Sequence, residues 1–148
     1  MNDISVFTIG YEDSTIDEFI TRLQKHNIAV LVDVREVPAS RKPGFSKNRL
    51  SEILHDHNIG YLHVKALGSP KAIREKLHRD NDYESFFDGY NAYIDSQLDV
   101  VKELYDEVVS RETSCLMCME RFPEHCHRRV VADKIKEIDG NGLKIRHI

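Results

Sequence analysis

The residues best suited to chemistry lie close together toward the end of the chain. Cys118 and Glu120 are two residues apart, and six residues later come Cys126, His127 and Arg128. A thiol can act as a nucleophile, while a carboxyl group and an imidazole can exchange protons near neutral pH. We therefore predict four catalytic residues, Cys118, Glu120, Cys126 and His127. Arg128 is predicted to bind an anionic part of the substrate.

A second polar group follows the apolar run at residues 29–35. Asp33 and Arg35 are two residues apart, so in a strand both side chains point to the same face. Ser40 and Arg41 follow in a loop, where the planar fork of an arginine suits bidentate contact with a phosphate. We predict a substrate-binding set that also includes a tyrosine after the first apolar run: Tyr11, Asp33, Arg35, Ser40, Arg41 and Arg128.

Structural roles compete with these functional ones. Asp33 and Arg35 can form an internal ion pair that holds the loop, because a carboxylate at a strand end needs a partner. His127 can bond to a nearby backbone carbonyl. Cys118 can be a small apolar residue of a buried strand. The residues alone leave both kinds of role open.

The three cysteines are an odd number clustered between Cys115 and Cys126, so they cannot form a disulfide framework and predict thiols that are kept reduced. Cys115, Cys118, Cys126 and His127 together have the composition of a zinc set. However, a strand over residues 113–119 would turn Cys115 and Cys118 to opposite faces, and the other three would meet only if the strand end folded back sharply. We therefore predict no metal site and no cofactor.

Apolar runs that alternate with amphipathic stretches predict the frame that positions these residues. Strands are predicted at residues 5–9, 29–35, 61–64, 113–119 and 143–148. Helices are predicted from residue 14 or 15 to Asn27, over residues 46–57 and 83–109, and from Pro123 to Gly140, with a short helix after a turn at residues 68–70. Residues 1–148 are thus predicted to form a single three-layer, Rossmann-like α/β domain, with a mostly parallel sheet of about five strands flanked by helices.

The order of the polar clusters predicts where the site lies. In open parallel sheets, ligands bind beyond the carboxyl ends of the strands. The second and fourth predicted strands are the most continuously apolar, and each is followed by one of the polar clusters. We therefore expect these two strand ends to be adjacent. A helix starting at Pro123 would place Cys126, His127 and Arg128 in its first turn and a half, where free N–H groups favour an anion.

Composition and charge exclude several classes of protein. The 148 residues, 41% hydrophobic and 31% charged, suffice for one core but not for two ordinary domains. No apolar run approaches the ~20 residues of a membrane span, and the N-terminal sequence lacks a secretory signal, so we predict a cytoplasmic protein without a membrane partner.

The net charge is −4, with five bases and one acid in residues 35–49 and nine acids and two bases in residues 79–109. Bulk attraction to nucleic acid is therefore not expected to dominate.

Three segments of the chain resemble the domain of unknown function 488 family. They are Thr8-Ile-Gly-Tyr11; Val32-Asp-Val-Arg35 with Pro38, Ser40-Arg41 and Gly44-Phe45; and Cys115-Leu-Met-Cys-Met-Glu120 with Pro123 and Cys126-His-Arg128. They occur in the family's order over nearly the whole chain. The resemblance implies a compact α/β domain but no particular reaction. Tyr11 stands where histidine is common in the family, and Ser69 where a second glycine is frequent.

These observations predict an enzyme or enzyme-like domain that acts on a phosphate-bearing small molecule or a nucleic-acid end. Two other classes are left open. One is a noncatalytic module that binds an anion or nucleic acid through the same arginines. The other is a thiol-based sulfurtransferase or redox protein.

Overall fold

The architecture is taken from a computed structural model that describes residues 4–110 and 112–148. The strands are β1 (Ser5–Gly10), β2 (Val30–Asp33), β3 (Gly60–His63), β4 (Ser114–Cys118) and β5 (Lys144–His147). The α-helices are α1 (Ile16–Lys25), α2 (Lys47–Asp56), α3 (Lys71–Asp80), α4 (Tyr83–Asp95), α5 (Leu98–Val109) and α6 (Arg128–Ile138). Single 3-10 turns cover Lys65–Leu67 and Pro123–His125.

The five strands form one parallel sheet in the order β3-β2-β4-β1-β5. Alternate residues of the central strands β2 and β4 enter separate cores on the two faces of the sheet. Leu31 and Cys115 pack in the core that holds buried residues of α1 and α2. Val32 and Leu116 pack in the core formed with α4, α5 and α6. The predicted three-layer α/β fold is confirmed.

The strands β2 and β4 are neighbours at the centre of the sheet. Their register pairs Val30 with Ser114 and Asp33 with Met117, so the two strands end at the same level. The prediction that the second and fourth strand ends are adjacent is confirmed. The polar residues that follow these strands consequently share the carboxyl edge of the sheet.

The helical stripe predicted over residues 83–109 is two helices, because the chain breaks between Asp95 and Leu98. The Ser96 hydroxyl and backbone N–H both donate to the Tyr93 carbonyl, which ends α4. Both helices bury apolar residues against the same face, so the spacing alone did not reveal the break. The segment after residue 70, predicted to hold a short helix, forms the ten-residue α3, which has no buried residue.

The last helix begins at Arg128, not at Pro123 as predicted. Residues 123–125 make one 3-10 turn, and Cys126 then has an extended backbone with φ −131° and ψ 139°. Cys126 therefore lies outside the helix, and His127 stands at the N-cap. The extended residue directs the Cys126 side chain back toward the end of β4.

In the described part of the chain, no helix combines the length and apolarity needed to cross a bilayer. The absence of a secretory signal was inferred from the first residues, of which 1–3 lie outside the described residues. Cytoplasmic location stays a prediction.

Candidate functional site

The polar residues border a cavity of about 470 Å³ at the carboxyl edge of the sheet. Loops that follow β1, β2 and β4 form one side of this cavity, and α3 with the start of α4 forms the other. Its lining includes five residues of the predicted site: Tyr11, Arg35, Cys118, Glu120 and His127. The topology thus brings together segments that are far apart in the sequence.

Two of the three cysteines meet beside this cavity. The sulfur atoms of Cys118, the last residue of β4, and of Cys126 lie within bonding distance of each other, while the two Cα atoms are 7.3 Å apart. Both side chains are about 1% exposed, and of the two only Cys118 lines the cavity. Cys115 is buried on the other face of the sheet, where burial raises its pKa. The turn after β4 thus returns Cys126 to Cys118, and the reduced state of the thiols stays a prediction.

Arg128 is fully buried and its guanidinium connects three parts of the fold. Nε donates to Thr8 Oγ1 of β1 at 3.1 Å, and Nη2 donates to the Arg121 carbonyl at 3.0 Å. Nη1 donates to the Glu120 carbonyl and lies 3.3 Å from Cys118 Sγ. Burial lowers the pKa of Arg128 to about 10. Among the carboxylates of residues 4–110 and 112–148, none forms an ion pair with it.

N–H groups point at both sulfurs of the pair. Besides the guanidinium contact to Cys118, the backbone N–H of Arg128 donates to Cys126 Sγ at 3.4 Å. Nearby N–H donors and a positive charge stabilise the thiolate form of a cysteine. The surroundings therefore suit this pair in its reduced form as well.

His127 is held by one hydrogen bond to the backbone of Val34, the residue that follows β2. Its Nε2 lies 2.6 Å from the Val34 carbonyl, which can only accept, so Nε2 carries the proton. Nδ1 is then unprotonated and lies 3.9 Å from Cys126 Sγ. Burial lowers the pKa of His127 to about 4, although the bond to Val34 opposes this shift. The alternative that His127 bonds to a backbone carbonyl is confirmed.

Glu120 stands next to the cavity end of β4. Its Oε2 lies 3.7 Å from Cys118 Sγ, and burial raises the pKa of its carboxyl group. The structure thus places the four predicted catalytic residues side by side.

Asp33 and Arg35 form a buried ion pair in which the guanidinium donates from Nε and Nη2 to the two carboxylate oxygens, at 2.9 and 2.7 Å. Arg35 Nη1 donates to the Phe45 carbonyl and to the Tyr11 hydroxyl. Tyr61 donates its hydroxyl proton to Asp33. The structural alternative for the pair is confirmed, and it fixes the loop after β2.

The remaining predicted binding residues lie apart from this group. Ser40 shapes the loop, because its hydroxyl accepts from the Lys42 N–H at 3.1 Å. Arg41 is exposed, and neither residue lines the cavity. The structure therefore does not bring Ser40 and Arg41 to the cysteine pair.

Sequence reasoning missed the outer wall of the cavity. Arg74 of α3 donates to Glu36 Oε1 at 3.1 Å and to the Ser69 carbonyl. The Tyr83 and His125 rings stack at 4.5 Å between centroids. The sequence signal for this wall was Gly68. A Cβ at this position would overlap the backbone of Glu36, so the glycine allows the two loops to approach closely.

Within the described residues, one group has the composition of a metal site. The ligand atoms of Cys118, Cys126 and His127 all lie within 4.8 Å of one another, and all three residues are buried. The sharp return that the sequence argument considered unfavourable is made by the 3-10 turn at residues 123–125. Cys115 is not part of the group, as the strand alternation predicted.

The fold and this site define a parallel α/β protein with a buried cysteine pair at the carboxyl edge of its sheet. The chain belongs to the family described as domain of unknown function DUF488, whose model matches residues 15–135. The matched part includes Cys118, Cys126 and Arg128, so the resemblance seen in the sequence is confirmed. No curated protein and no solved structure gave a significant match.

Proposed function

We propose that the protein is a thiol–disulfide oxidoreductase for small molecules, with Cys118 as the attacking thiol and Cys126 as the resolving thiol. The observation that carries this proposal is the fully buried Arg128, which faces Cys118 Sγ at 3.3 Å and has no carboxylate partner among the described residues. A buried cation needs a compensating negative charge. A thiolate at Cys118 supplies it.

The cavity supports the order of the two thiols. Cys118 lines it and Cys126 does not, so a substrate reaches Cys118 first. A volume of about 470 Å³ is in the usual range for small-molecule sites. Since Cys118 is itself about 1% exposed, the disulfide of a folded protein partner would not reach it.

The reaction is an exchange between the reduced pair and a small disulfide, RSSR. The Cys118 thiolate attacks one sulfur of RSSR, which forms a mixed disulfide and releases RS⁻. The Cys126 thiol, after losing its proton, attacks Cys118 Sγ and releases the second RS⁻. The two cysteines are oxidised to their disulfide, and RSSR is reduced to two thiols. Running in reverse, two molecules of a small thiol reduce the pair again.

The experiment uses the reduced full chain, a chelator to remove metal, and a chromogenic aromatic disulfide, dithiobisnitrobenzoate. The folded wild type should release about two equivalents of aromatic thiolate and end as an internal disulfide. Cys126→Ser should release about one equivalent and retain the mixed disulfide, which mass spectrometry detects. Cys118→Ser should release almost none. Cys115→Ser is the matched control and should behave as the wild type, since Cys115 lies on the other face of the sheet.

The order of attack can also be read without a variant. With less than one equivalent of the disulfide and rapid acid quenching, the first adduct should map to Cys118. An adduct at Cys126, or wild-type reactivity in Cys118→Ser, would contradict the proposal.

The phosphate-bearing substrate inferred from the sequence stays a prediction. The donors of Arg35 and Arg128 already bond to acceptors of the protein, which leaves exposed Arg41 as the residue to test. Arg41→Lys keeps the charge but loses the planar fork, so calorimetric titration with inorganic phosphate should show weaker binding. Equal phosphate binding by the wild type and Arg41→Lys would show that Arg41 contributes only its positive charge and no bidentate contact.

A further inference from the structure

Beyond exchange chemistry, the same corner of the fold has the donor set of a soft metal ion. Cys118 Sγ, Cys126 Sγ and a ring nitrogen of His127 lie within 4.8 Å of one another. Cys118 ends β4, His127 is the N-cap of α6, and Cys126 directly precedes that N-cap. Thiolates and imidazole are the ligands that zinc prefers in proteins.

The His127 imidazole directs the lone pair of Nδ1 toward the cysteine sulfurs. Because Nε2 donates its proton to the Val34 carbonyl, Nδ1 is left as the free donor atom, 3.9 Å from Cys126 Sγ. A metal-binding histidine usually donates its other ring N–H to a backbone carbonyl or carboxylate in this way. The bond to Val34 therefore fixes the tautomer and the ring orientation that coordination by Nδ1 requires.

The backbone spacing of the two cysteines also suits an ion between them. Their Cα atoms are 7.3 Å apart, whereas disulfides usually span about 4.4–6.8 Å. An ion bound at about 2.3 Å from each sulfur holds the two sulfurs farther apart than a covalent bond does. The frame of β4 and α6 can thus hold the reduced pair around a metal without moving its backbone inward.

We propose that the reduced protein binds one zinc ion through Cys118 Sγ, Cys126 Sγ and His127 Nδ1. Cys118 binds as the thiolate and Cys126 loses its thiol proton on binding, so two zinc–sulfur bonds form with no change of oxidation state. Cys118 and His127 both line the cavity, so the fourth coordination position is accessible to a small ligand. Formation of the disulfide removes both thiolates and releases the ion, so zinc binding and disulfide formation exclude each other.

This inference rests on the proposed function only in requiring that the pair can be reduced. It differs from the prediction made from the sequence, which expected no metal for two reasons: a strand turns Cys115 and Cys118 apart, and the other three residues meet only if the strand end folds back sharply. Cys115 takes no part in the site inferred here.

The test is a titration of the reduced, metal-free full chain with cobalt(II) under oxygen-free conditions. We expect saturation at about one equivalent, a thiolate-to-cobalt charge-transfer band in the near ultraviolet, and displacement of cobalt by zinc. Cys126→Ser should lose the band, and Cys115→Ser should keep it. The oxidised wild type should show no band, which tests the site even if Cys126→Ser fails to fold.

Absence of the band in the folded, reduced wild type, or its persistence in the oxidised protein, would overturn the zinc proposal. The two proposals can fail separately. If exchange with the aromatic disulfide proceeds as expected but cobalt does not bind, only the zinc site is wrong. If cobalt binds but Cys118→Ser still reacts with the aromatic disulfide, only the oxidoreductase is wrong.

Discussion

At the scale of single residues, Arg128 makes the contacts that assemble the cysteine site. Its guanidinium bonds to Thr8 of β1, to Cys118 of β4 and to two backbone carbonyls in the segment between β4 and α6. Arginines are rarely buried, so the residue type gave no reason to expect this position. The sequence correctly grouped Arg128 with the cysteines, but its acceptors, one of them 120 positions away, become visible only in the folded chain.

Replacing Arg128 by lysine should destabilise the protein strongly. An ammonium group keeps the charge but cannot reach the acceptors that the fork satisfies, which leaves buried polar atoms unpaired. We expect the free energy of unfolding to fall by about 2–4 kcal/mol in urea denaturation. Arg49→Lys, at an exposed ion pair on α2, is the control and should leave stability nearly unchanged. A loss no larger than that of the control would mean that the fork is not needed.

Asp33→Asn should also lower stability, because it removes one charge of a buried pair. The side chain accepts from Arg35 and from Tyr61, and neither Asp33 nor Arg35 is appreciably exposed. The uncompensated Arg35 should cost about 3–5 kcal/mol in thermal or chemical unfolding. The matched control is Asp80→Asn at the exposed pair with Lys76, which should have little effect. Similar losses in both variants would show that burial does not strengthen the pair.

At the scale of secondary-structure elements, Gly10 allows the end of β1 to pass close to the segment after β4. A Cβ at this position would overlap the Glu120 carbonyl, which is an acceptor for Arg128. Gly10→Ala should therefore displace residues 120–121, lower stability by about 1–3 kcal/mol and slow the reaction of Cys118 with the aromatic disulfide.

Gly60→Ala, at the start of β3, is the matched control for this substitution. A Cβ there meets its nearest neighbour, the Val30 side chain, at an ordinary 3.5 Å. It should leave the rate of thiol exchange as in the wild type. An equal rate in Gly10→Ala would show that the segment after β4 can shift without disturbing Cys118.

The elements differ in how far the sequence could predict them. Buried strands such as β2 and β4 are continuous apolar runs, which local composition identifies. The break at Ser96 was hidden because α4 and α5 bury their stripes against one face. The start of α6 at Arg128 depends on the extended backbone of Cys126, which the usual preference for proline at a first helical turn does not foresee.

At the scale of the whole molecule, charge argues against general binding to nucleic acid. The net charge is −4, and the acidic surplus of residues 79–109 lies mainly on α4 and α5. In fluorescence anisotropy at low salt, a single-stranded oligonucleotide should bind no more tightly than a Kd of about 10⁻⁴ M. Tighter binding that weakens steeply as salt rises would show a basic surface strong enough to overcome the net charge.

The sheet also decides which thiols can react with one another. Cys126 is eight residues from Cys118 and eleven from Cys115. In the unfolded chain, closing either loop costs nearly the same entropy, so either disulfide can form. Once β4 is paired between β2 and β1, Cys115 is enclosed on the far side of a hydrogen-bonded layer. A disulfide that includes Cys115 can therefore form only before the central strands pair. After pairing, the sheet separates Cys115 from the other two cysteines and leaves Cys118 and Cys126 to react with each other.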